Sequence, residues 1–144
     1  MAFALDVNPL VYASDSASPY HSAAVDLFES ARQSNESAYL FWPVIFGFLR
    51  ISTDPRILTE PLTSSEAIDT VESLLGLPQV VAPAERDGFL RDFRAASAGV
   101  VLRGRHFSDA HIVALMRHYG VNTIYSHDRD FRKFDGIRVV DPFA

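Results

Sequence analysis

The sequence predicts an α/β fold, a three-layer α/β/α sandwich built on a central, mostly parallel sheet of about five strands. Three observations predict it. Short apolar runs alternate with longer segments of helical periodicity along the whole chain. No internal repeat, low-complexity tract or interdomain linker interrupts that alternation. Acids follow the apolar runs, Asp6 after the first and Asp128 after the fourth. Such sheets form their sites outside the carboxyl ends of the strands.

The elements follow in order. Phe3-Ala4-Leu5 is the first strand. Asn8-Pro9 then reads as a helix cap and first helical position, opening a short turn through Leu10, Val11 and Ala13. Tyr20, Ala23, Ala24, Leu27, Phe28 and Ala31 recur at helical spacing and define an amphipathic helix from about Pro19 to Arg32. Tyr39–Trp42 is aromatic and β-prone, hence the second strand. Pro43 opens a run to Ile51 that is apolar all round and reads as a buried helix. Thr63 and Glu66 have the spacing of a capping box, followed by the stripe Ala67, Ile68, Val71, Leu74 and Leu75 and stopped by Gly76. Val80-Val81 is a weak third strand, and a helix is expected from about Ala84 to Ala98 with Phe89, Phe93 and Ala96 inward. Gly99 to Phe107 reads equally as a loop or a broken helix. Ser108 is expected to cap the next helix, striped by Ile112, Leu115, Met116 and Tyr119 and ended by Gly120. Asn122–Tyr125 is the fourth strand, Asp128 to Phe134 a turn or short helix, and Ile137–Val140 the fifth strand, stopped by Asp141-Pro142.

Composition narrows the class. A chain of 144 residues, 48% hydrophobic, carries the core of one domain over 1–144. No run is long enough to cross a bilayer and no signal peptide is expected, so the expectation is a cytoplasmic protein with no membrane partner. Cysteine is absent, which excludes disulfides and thiolate metal sites. The net charge of −5 argues against a protein that simply coats nucleic acid. It leaves room for a nuclease whose acidic pocket binds cations that in turn bind phosphate. Of the 13 basic residues all but Lys133 are Arg, suited to bidentate phosphate contacts, although solvated helix faces account for most of them taken singly.

The chemistry sits in three acidic segments: Leu5-Asp6-Val7-Asn8, Ser108-Asp109, and Ser126-His127-Asp128-Arg129-Asp130. Several carboxylates without cysteine suit a hard cation such as Mg²⁺ or Mn²⁺. Each also has a plainer reading: Asp109 as an ordinary N-terminal helix charge, Asp128 and Asp130 as turn residues, Asn8 as a cap, Ser126 as a strand-end serine. Asp6 is the least plain, because a carboxylate ending an apolar strand is costly to bury without a partner. The five histidines lack the spacing of a zinc site.

These segments, with Ala110–Leu115 and Gly136–Pro142, resemble the PIN domain and, more narrowly, VapC-type toxins of bacterial toxin–antitoxin pairs. The resemblance implies a Mg²⁺- or Mn²⁺-dependent endoribonuclease, usually a homodimer, neutralised by a cognate VapB-like antitoxin. It implies Asp6, Asp109 and Asp128 as metal-binding acids, Asp130 as a frequent accessory in catalysis, and Asn8 and Ser126 as small polar neighbours of the ion. One departure stands out. The family usually has a Glu on the helix after the second strand, and Gly47 occupies about that place here. Asp54 follows two turns later, too far to substitute, so one ion held by Asp6 and Asp109 is expected rather than two. Rival readings are a phosphoaspartyl phosphatase or receiver domain, which fit poorly at Asn8 and Lys133, and a PIN-like binding module without catalysis.

Overall fold

The computed structural model describes all residues, Met1–Ala144. The chain runs β1 (Ala2–Leu5), α1 (Val7–Ser14), α2 (His21–Gln33), β2 (Ser37–Tyr39), α3 (Trp42–Ser52), α4 (Ser64–Leu75), β3 (Val80–Val81), α5 (Phe89–Ala96), α6 (His106–His118), β4 (Thr123–Tyr125), a 3-10 turn (Arg129–Lys133) and β5 (Arg138–Val140). The sheet order is β3-β2-β1-β4-β5, and every neighbouring pair is parallel. The expected α/β/α sandwich is therefore the fold.

The strand order positions the site. Two crossovers step outward from β1 to β2 and β3, and the next returns past β1 to β4. Because such crossovers are right-handed, the outgoing and returning connections cover opposite faces. Side chains agree: α2 and α4 line one face with Leu5, Ala38 and Val80, while Tyr119 at the end of α6 lies against Tyr39 on the other. The strand order reverses between β1 and β4, so the carboxyl ends of those strands flank the crevice where such sheets bind ligands. Asp6 and Asp128 accordingly reach one edge, as expected.

The core is one cluster in which Phe41, Phe48, Phe131, Phe134, Ile124 and Met116 are almost wholly buried. Helix α6 is buried from Ile112 to Met116 without a break, a wider face than the stripe the sequence suggested, because α5, α3 and the 3-10 turn all pack against it. The expected capping box is present: Thr63 Oγ1 accepts from the Glu66 N–H at 3.1 Å and Glu66 Oε1 accepts from the Thr63 N–H at 2.9 Å.

Several boundaries move. Asn8 does not cap: α1 begins at Val7 with Asp6 in the cap position, since Pro9 is tolerated anywhere in the first turn. Strand β2 ends at Tyr39, well before the aromatic run does, and Trp42-Pro43 already opens α3. That helix is not buried all round, for Phe46 is 63% exposed beside an exposed Trp42. Helix α5 starts at Phe89 rather than near Ala84. Ser108 is not a cap either, because α6 has already begun at His106.

Thr63→Ala removes the reciprocal bonds of the capping box. We expect a loss of about 1 kcal/mol and a melting midpoint lower by about 2–4 °C. Thermal denaturation followed by circular dichroism checks this, and an unshifted midpoint would show the box to be energetically idle.

Candidate metal centre

Asp6 follows β1 directly. Its N–H donates to Tyr125 O at 3.1 Å, carrying the parallel pairing one residue past the strand. That fixes its side chain beside the end of β4, where it is only 7% exposed. Oδ2 accepts a 2.6 Å hydrogen bond from Ser126 Oγ. Burial pushes the Asp6 carboxyl above the usual range, and nearby Asp128 pushes the same way, against the Ser126 hydroxyl and the Val7 N–H.

Ser126 is fully buried and joins both acids: its Oγ donates to Asp6 and accepts from the Asp128 N–H at 2.9 Å. A plain strand-end serine would make neither bond. Asn8 Oδ1 accepts from the His127 N–H at 3.2 Å, tying α1 to the loop after β4. Asp128 caps the 3-10 turn, with Oδ1 accepting from the Asp130 N–H at 2.9 Å. The turn reading and the site reading of Asp128 are thus compatible. Phe131, wholly buried, anchors that turn in the core.

Asp109 lies in the first turn of α6, facing this loop. One carboxylate oxygen each from Asp109, Asp128 and Asp130 lies within 4.8 Å of the others. This group contains Asp130 but not Asp6, which the sequence reading placed among the metal ligands; Asp6 is held by Ser126 close enough for its charge to reach Asp109. Burial raises the Asp109 carboxyl to about 7, with repulsion from Asp128, Asp6 and Asp130 adding to the rise and Lys133 opposing it. The basic side chains at hand are weakly engaged: Arg105 Nη2 is 3.5 Å and His106 Nε2 3.8 Å from Asp130 Oδ2.

The donor set fits a hard divalent cation. It consists of carboxylate oxygens with no sulfur, and the repulsion that lifts Asp109 is what a bound cation removes. Asp109, Asp128 and Asp130 would hold the ion, with Asp6 contributing charge from behind. Helix α3 supplies no acid. A Cβ on Gly47 would meet Val7 Cγ2 at 2.9 Å, so an acidic side chain could enter only if Val7 moved. Asp54 is no substitute, since it is bound by the Arg56 guanidinium, which holds its carboxyl below the usual range.

Two features were not read from the sequence. Asp141 accepts from His127 Nδ1 at 2.9 Å, and Tyr12, Tyr20 and Phe143 pack around that histidine. The signal was available: Asp141 follows β5, so the rule that selected Asp6 and Asp128 selects it too. Arg105 beside Asp130 had no signal, because the loop carrying it has no periodicity.

Comparison with known proteins accords with this geometry. Residues 3–137 match the family model described as PIN domain. Ribonuclease VapC48 of Mycobacterium tuberculosis is 44% identical over 144 residues, covering 100% of this chain and 99% of the relative. Ribonuclease VapC43 of the same organism is 32% identical over 136 residues, 93% of this chain and 90% of that one. Among solved structures, M. tuberculosis VapC20, described as a sarcin-ricin loop cleaving toxin, superposes with a TM-score of 0.69 at 17% identity over 94% of this chain and 98% of its own. FitAB bound to the IR36 DNA fragment gives 0.66 at 14% identity over 99% and 96%.

Two outcomes are expected. In the metal-free protein the raised Asp109 pKa means that the folded state binds a proton the unfolded state has released between pH about 4 and about 7. This contribution to stability is present at pH 4 and lost as pH rises through 7. Melting midpoints of wild type should therefore fall over that window more than those of Asp109→Asn, and added Mg²⁺ should recover the difference at pH 8. Ser126→Ala leaves buried Asp6 without its hydroxyl donor. Urea denaturation should show a loss of about 1–3 kcal/mol, and equal stability would mean that the hydroxyl does not support the acid.

Proposed function

Because the chain belongs to the PIN-domain family, we propose that it is a divalent-metal-dependent endoribonuclease, the toxin of a VapBC-type toxin–antitoxin pair. The observation that carries this reading is the convergence of Asp109, Asp128 and Asp130 beside buried Asp6 at the strand-order reversal. The full-length likeness to relatives named as ribonucleases supports the reaction class.

A bound Mg²⁺ or Mn²⁺ would supply the positive charge that draws in a phosphodiester and acidifies water for its hydrolysis. The chain's own residues do the rest. Asp109, Asp128 and Asp130 present oxygens toward one point. Ser126 holds Asp6 and the Asp128 backbone in fixed relation, and Asn8 fixes the loop after β4. Asp109, whose pKa lies near 7, takes up or gives a proton at its carboxylate as the site empties or fills. We assign catalysis to Asp6, Asp109, Asp128 and Asp130, with Asn8 and Ser126 as positioning residues, within one domain spanning 1–144.

The partners in this reading are RNA as substrate and a VapB-like antitoxin. The similarity to the structures of VapBC2 from Rickettsia felis and of FitAB, each bound to DNA, supports a complex of that kind. A homodimer is part of the proposal, and the exposed Trp42–Phe46 pair on α3 suits such a contact. No helix is long and apolar enough to cross a membrane, and a cytoplasmic location, where RNA is at hand, is part of the proposal. A second reading, a PIN-like binding module without catalysis, draws on Gly47, where Val7 fills the space an acid would need.

The test compares purified wild type, Asp6→Asn and Asp109→Asn on a structured RNA, with Mg²⁺ or Mn²⁺ and with chelator. Wild type should cleave only with metal, and both variants should fall to the chelated rate. Equal cleavage by all three would assign the activity to a contaminant. Loss of cleavage on co-expression with a VapB-like antitoxin is the second expected result.

A further inference from the structure

We propose that the connection between α5 and α6, with Arg103 and Arg105, together with Phe107 in the first turn of α6, is the surface that lays a single-stranded RNA across the acidic centre. The inference rests on the ribonuclease reading for the identity of the polymer, and adds which residues grip it.

Charge favours this segment first. The chain carries −5 overall, yet from Ser97 to Phe107 there is no acid, while Arg103, Arg105 and His106 follow in close succession. Both arginines are exposed, Arg105 by 83% of its side chain. An exposed guanidinium unclaimed by a strong internal partner is suited to a phosphate, which it meets with two parallel hydrogen bonds. Arg105 has only the 3.5 Å contact with Asp130, and a surface pair of that kind contributes little to stability. It can therefore exchange Asp130 for phosphate without disturbing the fold.

An aromatic platform lies beside these cations. Phe107 stacks on Phe93 with ring centroids 6.1 Å apart and planes 13° from parallel, and remains 51% exposed. Leu90 and Val101 are also exposed on these elements. Arginines that track a backbone and an open ring that receives a base are the parts from which single-strand surfaces are made.

Backbone conformation and position bring the arginine segment to the acids, with Phe107 on another face of α6. Gly99 (φ 78°) and Gly104 (φ 54°) take left-handed turns that side chains rarely adopt, and they frame the segment carrying Arg103. The segment runs directly into α6, so Arg105 stands four residues before Asp109, on the same side of the helix start. A strand held by Arg105 beside Asp130 and crossing the start of α6 to stack a base on Phe107 would keep its phosphodiester near Asp109 and Asp130.

Binding is tested apart from cleavage, in an Asp109→Asn background, by fluorescence anisotropy with a labelled single-stranded RNA of mixed sequence, about 12 nucleotides long. Arg103→Ala with Arg105→Ala should weaken binding at low salt and flatten the dependence of log affinity on log salt by about 1.4, or 0.7 for each phosphate no longer neutralised. Phe107→Ala should weaken binding about tenfold with little change in slope, and Phe107→Tyr should restore it. Arg56→Ala, which removes a positive charge from a residue paired with Asp54, should leave affinity as it was. Melting curves confirm that each variant folds. Unchanged affinity and slope in the double arginine variant, or no RNA bound by the parent, would overturn the proposal. So would loss of a protein partner with RNA binding intact, which would make this a protein-docking face. If the binding pattern appears but wild type cleaves nothing, the surface stands and the ribonuclease reading fails. If cleavage is metal-dependent but the pattern is absent, the reverse holds.

Discussion

Three carboxylates within 4.8 Å of one another, with Asp6 close enough for its charge to reach Asp109, repel one another when all are charged and no cation lies among them. At an effective dielectric of about 20, two such charges repel by about 3 kcal/mol, comparable to a large part of a domain's net stability. The protein relieves this in the metal-free state by keeping a proton on Asp109 up to a pH near 7. Nearby basic groups do not relieve it. Arg105 is long, exposed and 3.5 Å from one acid only, and Lys133 is exposed in the 3-10 turn. The cluster is therefore built for a counter-charge that arrives from solution, and the rest of the structure serves to hold the acids together against their repulsion.

Holding them requires rigid supports from separate parts of the chain. Asp6 is fixed by strand pairing at β1 and β4, Asp128 by a turn pinned through Phe131, and Asp109 by a helix whose residues Ile112 to Met116 are buried without interruption. Ser126 is the joint between two of these, bonded at once to the Asp6 carboxylate and the Asp128 backbone. A preorganised acidic site needs such packing and hydrogen bonding around its ligands, since flexible acids would simply move apart.

Much of this is legible in the sequence for a physical reason. In a parallel sheet the carboxyl ends of all strands lie on one edge, so an acid soon after a strand, such as Asp6 or Asp128, is placed at that edge without tertiary information. The capping box at Thr63 and Glu66 is equally local. Errors arose where local signals compete. Asn8 resembles a cap, but pairing of Asp6 with Tyr125 starts the helix earlier than the Asn-Pro signal suggests. The aromatic run Tyr39–Trp42 looks like strand throughout, but Pro43 claims its end for α3. The precedence of Asp130 over Asp6 in the tightest cluster was not legible, because it depends on how the 3-10 turn folds back after Asp128.

The wall formed by α3 shows how one small residue alters this balance. Gly47 approaches α1 so closely that an added Cβ would lie 2.9 Å from Val7 Cγ2, so the aliphatic Val7 side chain fills the space that a side chain at this position would need. Another buried carboxylate would raise the repulsion and demand more counter-charge, so Val7 against Gly47 limits the total charge the site must balance. With that wall apolar, the remaining acids open toward the α5–α6 connection, where Arg105 and His106 reach Asp130. The side that lacks an acid and the side that bears cations thus define a direction: negative charge is concentrated at the strand ends and positive charge lies along one flank. On the proposed reading, an anionic polymer approaching the centre would meet attraction on that flank, an asymmetry that would orient it before its phosphate reached the carboxylates.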